Sequence, residues 1–204
     1  MTSWRGFHFD AYLENHSGYD DESPLLKLRC IVYGDAYSPY CWMISGSNVL
    51  TTSAWRGAGQ LLARNPSIKR FELDSNEISQ ESFRVFMTAL EGNTTIVNFT
   101  ICENSRVGTN EGSRVLSAFL LRRKCPMVSL HLDALGISLS SFQILSPGIG
   151  RPGLCGRRVE ELRLTGNDLS ANTEEKRATL YHSLTNLSWL KTLDLEGCKL
   201  GNSG

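Results

Sequence analysis

Apolar residues follow two alternating periods along the chain, one typical of β-strands and one typical of α-helices. In the strand-like segments they occupy alternate positions, a spacing that puts them on one face of a strand. The clearest such segment is Ser67–Ser79. Its pattern positions are Ile68, Phe71, Leu73, Asn76 and Ile78. This pattern predicts a strand with one buried face, followed by a turn at the asparagine.

The strand pattern recurs at a regular spacing. Its six copies begin at Tyr40, Ile68, Ile96, Met127, Val159 and Leu190, which are 28, 28, 31, 32 and 31 residues apart. The first copy is degenerate and places Met43 and Ser45 at the inward strand positions. In the third copy the last apolar position falls on Arg106, with Val107 beside it, so we expect an altered turn there. A period of this length predicts a repeat protein whose neighbouring units share one continuous core.

Each copy has one position, called here the ladder position, at which the chain is expected to turn away from the strand. The ladder residues are Asn48, Asn76, Asn104, Leu135, Asn167 and Cys198. An asparagine amide can bond backbone groups that have left the sheet, and Cys198 is a smaller, weakly polar substitute. Leu135 cannot form those hydrogen bonds, so we expect a looser turn after the fourth strand.

Between the strand segments, apolar residues recur at helical spacing. The predicted helices cover Gly57–Asn65, Gln80–Glu91, Glu111–Arg123 and Glu174–Leu187. A shorter helix is predicted at Ser141–Leu145, because residues 147–156 are rich in proline and glycine and predict a loop. Alternating strands and helices predict an α/β protein with a parallel sheet and helices outside it.

Strand–turn–helix units of about 28 residues with Asn or Cys at the ladder position resemble the ribonuclease-inhibitor-like class of leucine-rich repeats. The segments that carry the resemblance best are VEELRLTGNDLS (Val159–Ser170) and LKTLDLEGCKLGNSG (Leu190–Gly204). The resemblance implies a leucine-rich-repeat solenoid, a horseshoe segment with its parallel sheet on the concave face and its helices on the convex face. About six repeats would span residues 40–204, the last incomplete, with residues 1–39 as an N-terminal extension or cap. Because the pattern stops just after the sixth ladder residue, we expect a fragment of a longer array.

Composition narrows the classes of partner and compartment. The formal net charge of the 204 residues is zero, so the whole chain has no bias toward nucleic acid. No apolar run is long enough to cross a membrane, and no secretory signal is recognised. The six cysteines are scattered, without zinc-site spacing, so we expect free thiols, no metal and no cofactor. We therefore expect a cytoplasmic protein, with a nuclear location as the alternative, that binds neither nucleic acid nor membrane.

The outward strand positions are the predicted binding surface. The residues expected to contact a partner are Trp42, Arg70, Glu72, Asp74, Thr100, His131, Asp133, Arg163, Asp194 and Glu196. Together with Glu161, the charged groups of this face sum to −4, so about +7 of the charge of residues 40–204 falls on helices and loops. An acidic face attracts a basic partner and speeds its encounter. Solvated charges on any strand face are the alternative interpretation.

Other residues give weaker evidence for a function than the outward strand positions do. His131 and Asp133 share a strand face and could support acid–base chemistry, but no motif places a nucleophile with them. Cys102 lies on the same face beside acids, which oppose thiolate formation. The clusters Arg122–Lys124 and Arg157–Arg158 could contact nucleic acid or anionic lipid, although cations at helix ends are common.

We therefore expect a non-catalytic protein-binding module rather than an enzyme. The resemblance also implies two alternatives. One is a regulator of a small GTPase, of the kind that activates Ran-type GTPases. The other is the substrate-recognition part of a larger signalling or ubiquitin-ligase protein.

Overall fold

The computed structural model describes residues 41–45 and 50–200, in which strands and helices alternate. The strands are β1 (Cys41–Ser45), β2 (Arg70–Asp74), β3 (Asn98–Cys102), β4 (Ser129–Asp133), β5 (Glu161–Arg163) and β6 (Thr192–Asp194). The helices are α1 (Thr52–Arg64), α2 (Gln80–Leu90), α3 (Asn110–Arg122), α4 (Leu139–Gly150) and α5 (Glu174–Thr185). The predicted extension at residues 1–39 and the ladder residue Asn48 lie outside the described residues.

The six strands form one parallel sheet in chain order. Strand pairing aligns the same pattern position in each unit, so that Phe71 pairs with Phe99, Leu130 with Leu162, and Leu162 with Leu193. The predicted α/β class, the parallel sheet and the spacing from β2 to β6 are therefore confirmed. A sheet that grows by one strand per strand–helix unit is compatible with a solenoid.

One hydrophobic core joins the sheet to the helices. Phe71 and Phe99 stack with ring centroids 5.5 Å apart, and each also meets a helical ring, Phe86 at 5.6 Å and Phe119 at 6.0 Å. All four rings are buried within the same cluster. Because strand side chains alternate between faces, the residues between these core positions lie on the opposite face of the sheet.

Each of the five described helices begins after a serine or threonine that caps its N-terminus. The caps are Thr51, Ser79, Thr109, Ser138 and Thr173, and each hydroxyl accepts a hydrogen bond from an amide of the first turn. Such caps satisfy amides that have no partner within the helix. They fix where each strand-to-helix connection ends. The helices α2, α3 and α5 are observed within two residues of their predicted bounds, whereas α1 begins at Thr52 and not at the predicted Gly57.

The fourth helix is longer than predicted. Residues 147–150 continue α4, with Pro147 inside it, instead of starting a loop. The hydroxyl of Ser146 lies 3.5 Å from the carbonyl oxygen of Gln143, the acceptor that the proline cannot bond. Gly148 lets the helix approach α3, because a Cβ there would lie 2.7 Å from the Cα of Ser117. Tertiary packing therefore outweighs the local composition.

The predicted register of the first copy is wrong by one residue. In β1 it is position 42 that pairs with Phe71, and Ile44 that pairs with Leu73. Ile44 is fully buried, whereas Met43 pairs with Glu72 on the other row. A one-residue shift exchanges the two faces of a strand. Position 42 therefore belongs to the core row, and the expectation that Trp42 belongs to the outward row is corrected.

The turns after β2, β3, β4, β5 and β6 share one backbone shape. The residue before the ladder position has a positive φ, between 49° and 72°, at Ser75, Glu103, Ala134, Gly166 and Gly197. The ladder amide then donates to backbone carbonyls, as Asn76 does to Ile44 at 2.9 Å and to Asp74 at 2.7 Å. Cys198 donates to the carbonyl of Leu164 at 2.9 Å.

The turn at Leu135 is not looser than the others, contrary to the sequence expectation. Its neighbour Ala134 has the usual left-handed conformation, and the Leu135 side chain is fully buried. Two backbone amides of this turn are held by the next unit, where the side-chain oxygen of Asn167 accepts from the amides of Leu135 at 3.2 Å and Ile137 at 2.9 Å. In the third copy Val107, rather than Arg106, enters the core.

Candidate functional site

The sheet face opposite the core, called here the polar sheet face, carries three rows of side chains that run across the strands. The first row includes Arg70, Asn98, Ser129, Glu161 and Thr192. The second includes Met43, Glu72, Thr100, His131, Arg163 and Asp194. The third includes Asp74, Cys102 and Asp133. Strand pairing therefore places eight of the ten predicted contact residues in these rows. Glu196 follows β6 by two residues, and Trp42 belongs to the core row.

Both arginines of the polar sheet face are bound to carboxylates. Arg163 donates through Nε to Asp133 Oδ2 at 2.8 Å and through Nη2 to the same oxygen, and this hydrogen bond raises the pKa of the guanidinium. Arg70 pairs with Glu72 on its own strand. Asp133 and Glu72 are both buried, with 8% and 9% of their surface exposed. These two acids therefore act mainly within the sheet and offer little surface to a partner.

His131 meets a serine and a glutamate rather than Asp133. Its Nε2 lies 2.9 Å from the Ser129 hydroxyl and 3.2 Å from Glu161 Oε1. A serine–histidine–carboxylate relay needs the serine and the carboxylate on different ring nitrogens. Here both contacts use the same nitrogen, so the arrangement is a polar cluster without relay geometry.

Cys102 is a half-buried free thiol in the third row. Its Sγ lies 3.1 Å from Asp74 Oδ1. Burial, and then the hydrogen bond to Asp74, raises the pKa of Cys102 to about 12. The direction agrees with the sequence expectation, although burial contributes more than the neighbouring acids. At neutral pH this thiol is protonated, which opposes a role as a nucleophile.

The acids near β6 are more accessible than those in the middle of the sheet. Asp194 is half-buried and Glu196 is exposed. Asp194 accepts from the Glu196 amide at 2.9 Å and lies 3.5 Å from the Thr165 hydroxyl. Because the arginines neutralise Glu72 and Asp133, the remaining negative charge is weighted toward this end of the face, with Glu161 half-buried beside it.

Sequence reasoning listed the charged residues of this face but missed their pairing. Ser129 and Glu161, the partners of His131, were also predicted as outward positions. The strand register was therefore the signal that could have placed them next to His131. Thr100 is almost completely buried, which removes it from the accessible part of the surface. The basic cluster Arg122–Lys124 is also altered, because Arg123 is fully buried.

No protein-family model matches the chain, and no curated protein matches it. Among residues 41–45 and 50–200, no group of three or more His, Cys, Asp or Glu side chains is arranged to hold a metal ion. Within the same ranges, none of the helices has both the length and the apolar character needed to cross a membrane.

Proposed function

We propose that this chain is a leucine-rich-repeat segment of the ribonuclease-inhibitor-like class, and that it binds a protein through its polar sheet face without catalysing a reaction. The repeat assignment is supported by the recurring strand, left-handed residue, ladder donor and capped helix. In a solenoid of this type the strands line the concave side, which is the usual binding surface. The proposed location is the cytoplasm, and no cofactor is required.

The observation that carries the proposal is the in-register stacking of polar positions on the sheet face opposite the core that the described helices α1–α5 help to form. Five strands contribute charged or polar residues to rows that extend across the sheet. Such a surface gives a partner many fixed contact points with little loss of conformational freedom. Its formal charge of −4 favours a partner with a basic surface.

The residues expected to dominate the electrostatic contribution are Glu161, Asp194 and Glu196. Glu196 is exposed, and Glu161 and Asp194 are half-buried, whereas Glu72 and Asp133 are buried against arginines. A partner that presents lysines or arginines would meet these carboxylates at the β5–β6 end of the face. Its association would be fast at low salt and slower as the salt concentration rises.

The test first uses the chain to capture partner proteins by affinity, and one captured protein is then purified. The affinity of this protein is measured for the unmodified chain and for two triple variants. Glu161→Gln/Asp194→Asn/Glu196→Gln removes three charges from the face and keeps side-chain shape. Glu77→Gln/Glu174→Gln/Glu175→Gln removes three exposed charges elsewhere. We expect the first variant to weaken binding at least about tenfold at low salt and the second to leave it unchanged. Equal binding by both variants and the unmodified chain would refute the role of the acidic face.

A further inference from the structure

Two basic clusters that are distant in sequence form a single patch at the edge of the sheet where helices end and strands begin. Arg122–Lys124 terminates α3, and residues 151–158 connect α4 to β5. The buried Arg123 joins them, because its Nη2 donates to the carbonyl of Arg157 at 3.0 Å across 34 residues of sequence. Cys155 Sγ also lies 3.1 Å from the carbonyl oxygen of Cys125. The two clusters are therefore fixed relative to each other.

Arg123 is buried beneath the patch, where it holds the two segments together, and it is not itself a contact residue. Its side chain is fully buried, its Nη1 donates to the carbonyl of Leu120 at the end of α3, and burial lowers the pKa of the guanidinium. The connecting loop is closed by a hydrogen bond from the Gly153 amide to the Arg157 carbonyl at 3.0 Å. A Cβ on Gly153 would lie 2.9 Å from the Arg123 carbonyl oxygen, so the loop packs directly on this support.

Five cations surround this support with exposed side chains. They are Arg122, Lys124, Arg151, Arg157 and Arg158. Arg122 pairs with Glu91 at 2.7 Å, and Arg158 covers the ring of Trp189 at 4.6 Å. Within the described ranges, no carboxylate lies within ion-pair distance of the other three. The patch is consequently strongly positive on a chain whose net charge is zero.

A large apolar side chain is exposed in the connection that carries three of these cations. Leu154 is 69% exposed at the tip of the loop, between Arg151 and Arg157. An isolated exposed leucine is ordinary, but this one is held at the apex of a fixed, positively charged surface. Cations around a protruding apolar residue match the two contributions that drive reversible binding to a charged bilayer: attraction to headgroups and partial burial of an apolar group.

We propose that this patch, formed by Arg122, Lys124, Arg151, Leu154, Arg157 and Arg158, binds the surface of an anionic phospholipid membrane. The cations contact headgroup phosphates and carboxylates, and Leu154 enters the boundary of the acyl region. A nucleic acid would use the same cations but would give Leu154 no apolar surroundings. The one aromatic ring described in the patch, Trp189, is covered by Arg158 and is not available to stack on bases. The patch is separate from the polar sheet face, so this inference does not depend on the proposed function.

The test is co-flotation of the whole chain with vesicles of phosphatidylcholine alone or with about one-third phosphatidylserine. We expect binding only to the anionic vesicles, and loss of binding at about 0.5 M salt. Arg151→Gln/Arg157→Gln should bind about 30-fold more weakly, and Leu154→Ser about tenfold more weakly. The matched control Arg56→Gln/Arg177→Gln removes two exposed cations from helices outside the patch, neither of which forms an ion pair with another described residue, and it should bind normally.

A parallel titration with duplex DNA separates membrane binding from general affinity for polyanions. The proposal is overturned if the chain fails to bind anionic vesicles or binds neutral ones equally. It is also overturned if Leu154→Ser binds vesicles like the unmodified chain, or if the control variant is weakened as much as the patch variant. Circular dichroism melting of each variant verifies that the fold is retained. The triple variant of the polar sheet face, Glu161→Gln/Asp194→Asn/Glu196→Gln, should bind vesicles normally.

Discussion

Removing the amide of Asn167 should destabilise the chain more than removing the equivalent amide of Asn104. Both residues occupy ladder positions and both are about 1% exposed. Changing each to alanine deletes the same atoms from the same place in the repeat. The difference between the two variants therefore isolates the hydrogen bonds that each amide makes.

The structure gives the two amides unequal numbers of partners. Asn167 donates at 2.7 Å to the carbonyls of Leu132 and Leu164 and accepts from the amides of Leu135 and Ile137, four hydrogen bonds in all. Asn104 donates to two carbonyls, and its Oδ1 is buried without a partner. At about 1 kcal/mol for each bond, Asn167→Ala should cost about 4 kcal/mol and Asn104→Ala about 2 kcal/mol.

Urea denaturation followed by circular dichroism measures this difference. With a slope of about 2 kcal/mol per molar urea, the two midpoints should lie about 1 M apart. Because repeat arrays do not always unfold in one step, hydrogen exchange gives a local measure. Exchange at Leu135 and Ile137 should accelerate in Asn167→Ala and not in Asn104→Ala. If Asn104→Ala is equally or more destabilising, the hydrogen-bond argument is wrong.

Three further perturbations have definite outcomes. Leu164→Asp puts a charge at a fully buried position and should lower the free energy of unfolding by about 3–5 kcal/mol, while Thr165→Asp on the other face should cost far less in the same urea titration. Gly148→Ala forces a Cβ against the backbone of Ser117 and should cost about 1–3 kcal/mol, and unchanged thermal melting would contradict that contact. The pKa of Cys102 is raised to about 12, so its reaction with iodoacetamide at neutral pH should be at least about a hundredfold slower than in the urea-unfolded chain. Equal rates, measured by mass spectrometry, would show that the thiol is accessible and ionised.

The core of the sheet could be predicted from sequence wherever apolar and polar residues alternate strictly. In RFELD (Arg70–Asp74), only Phe71 and Leu73 can enter a core without burying charge, so the register has one solution. The first strand, CWMIS, has three apolar residues in succession and no such constraint. Its register is set by pairing with β2 and by burial of Ile44, neither of which is a local property.

The polar sheet face could be predicted as a set of positions but not as a set of pairs. The predicted spacing of 32 residues puts Arg163 beside His131, which the strand register confirms. Yet Arg163 bonds diagonally to Asp133, and His131 bonds diagonally to Glu161. Long side chains reach both the direct and the diagonal neighbour across a sheet. The choice depends on burial and competing partners, which appear only when all the strands are in place.

Part of the charge distribution at the edges of the sheet follows from the stability of the helices, and part of it does not. Cations near helix C-termini and acids near N-termini complement the helix dipole, which accounts for Glu81, Glu111, Glu174 and Glu175 in first turns. It also accounts for cations that directly follow a helix, such as Arg123 after α3 and Arg151 after α4. It does not account for their clustering. The seven cations in the connections that lead from a helix to a strand are Lys69, Arg123, Lys124, Arg151, Arg157, Arg158 and Lys191, and five of them lie in the two connections that pack together around Arg123. Placing four exposed like charges side by side costs free energy that helix capping does not recover, so the concentration favours a role in binding an anionic surface.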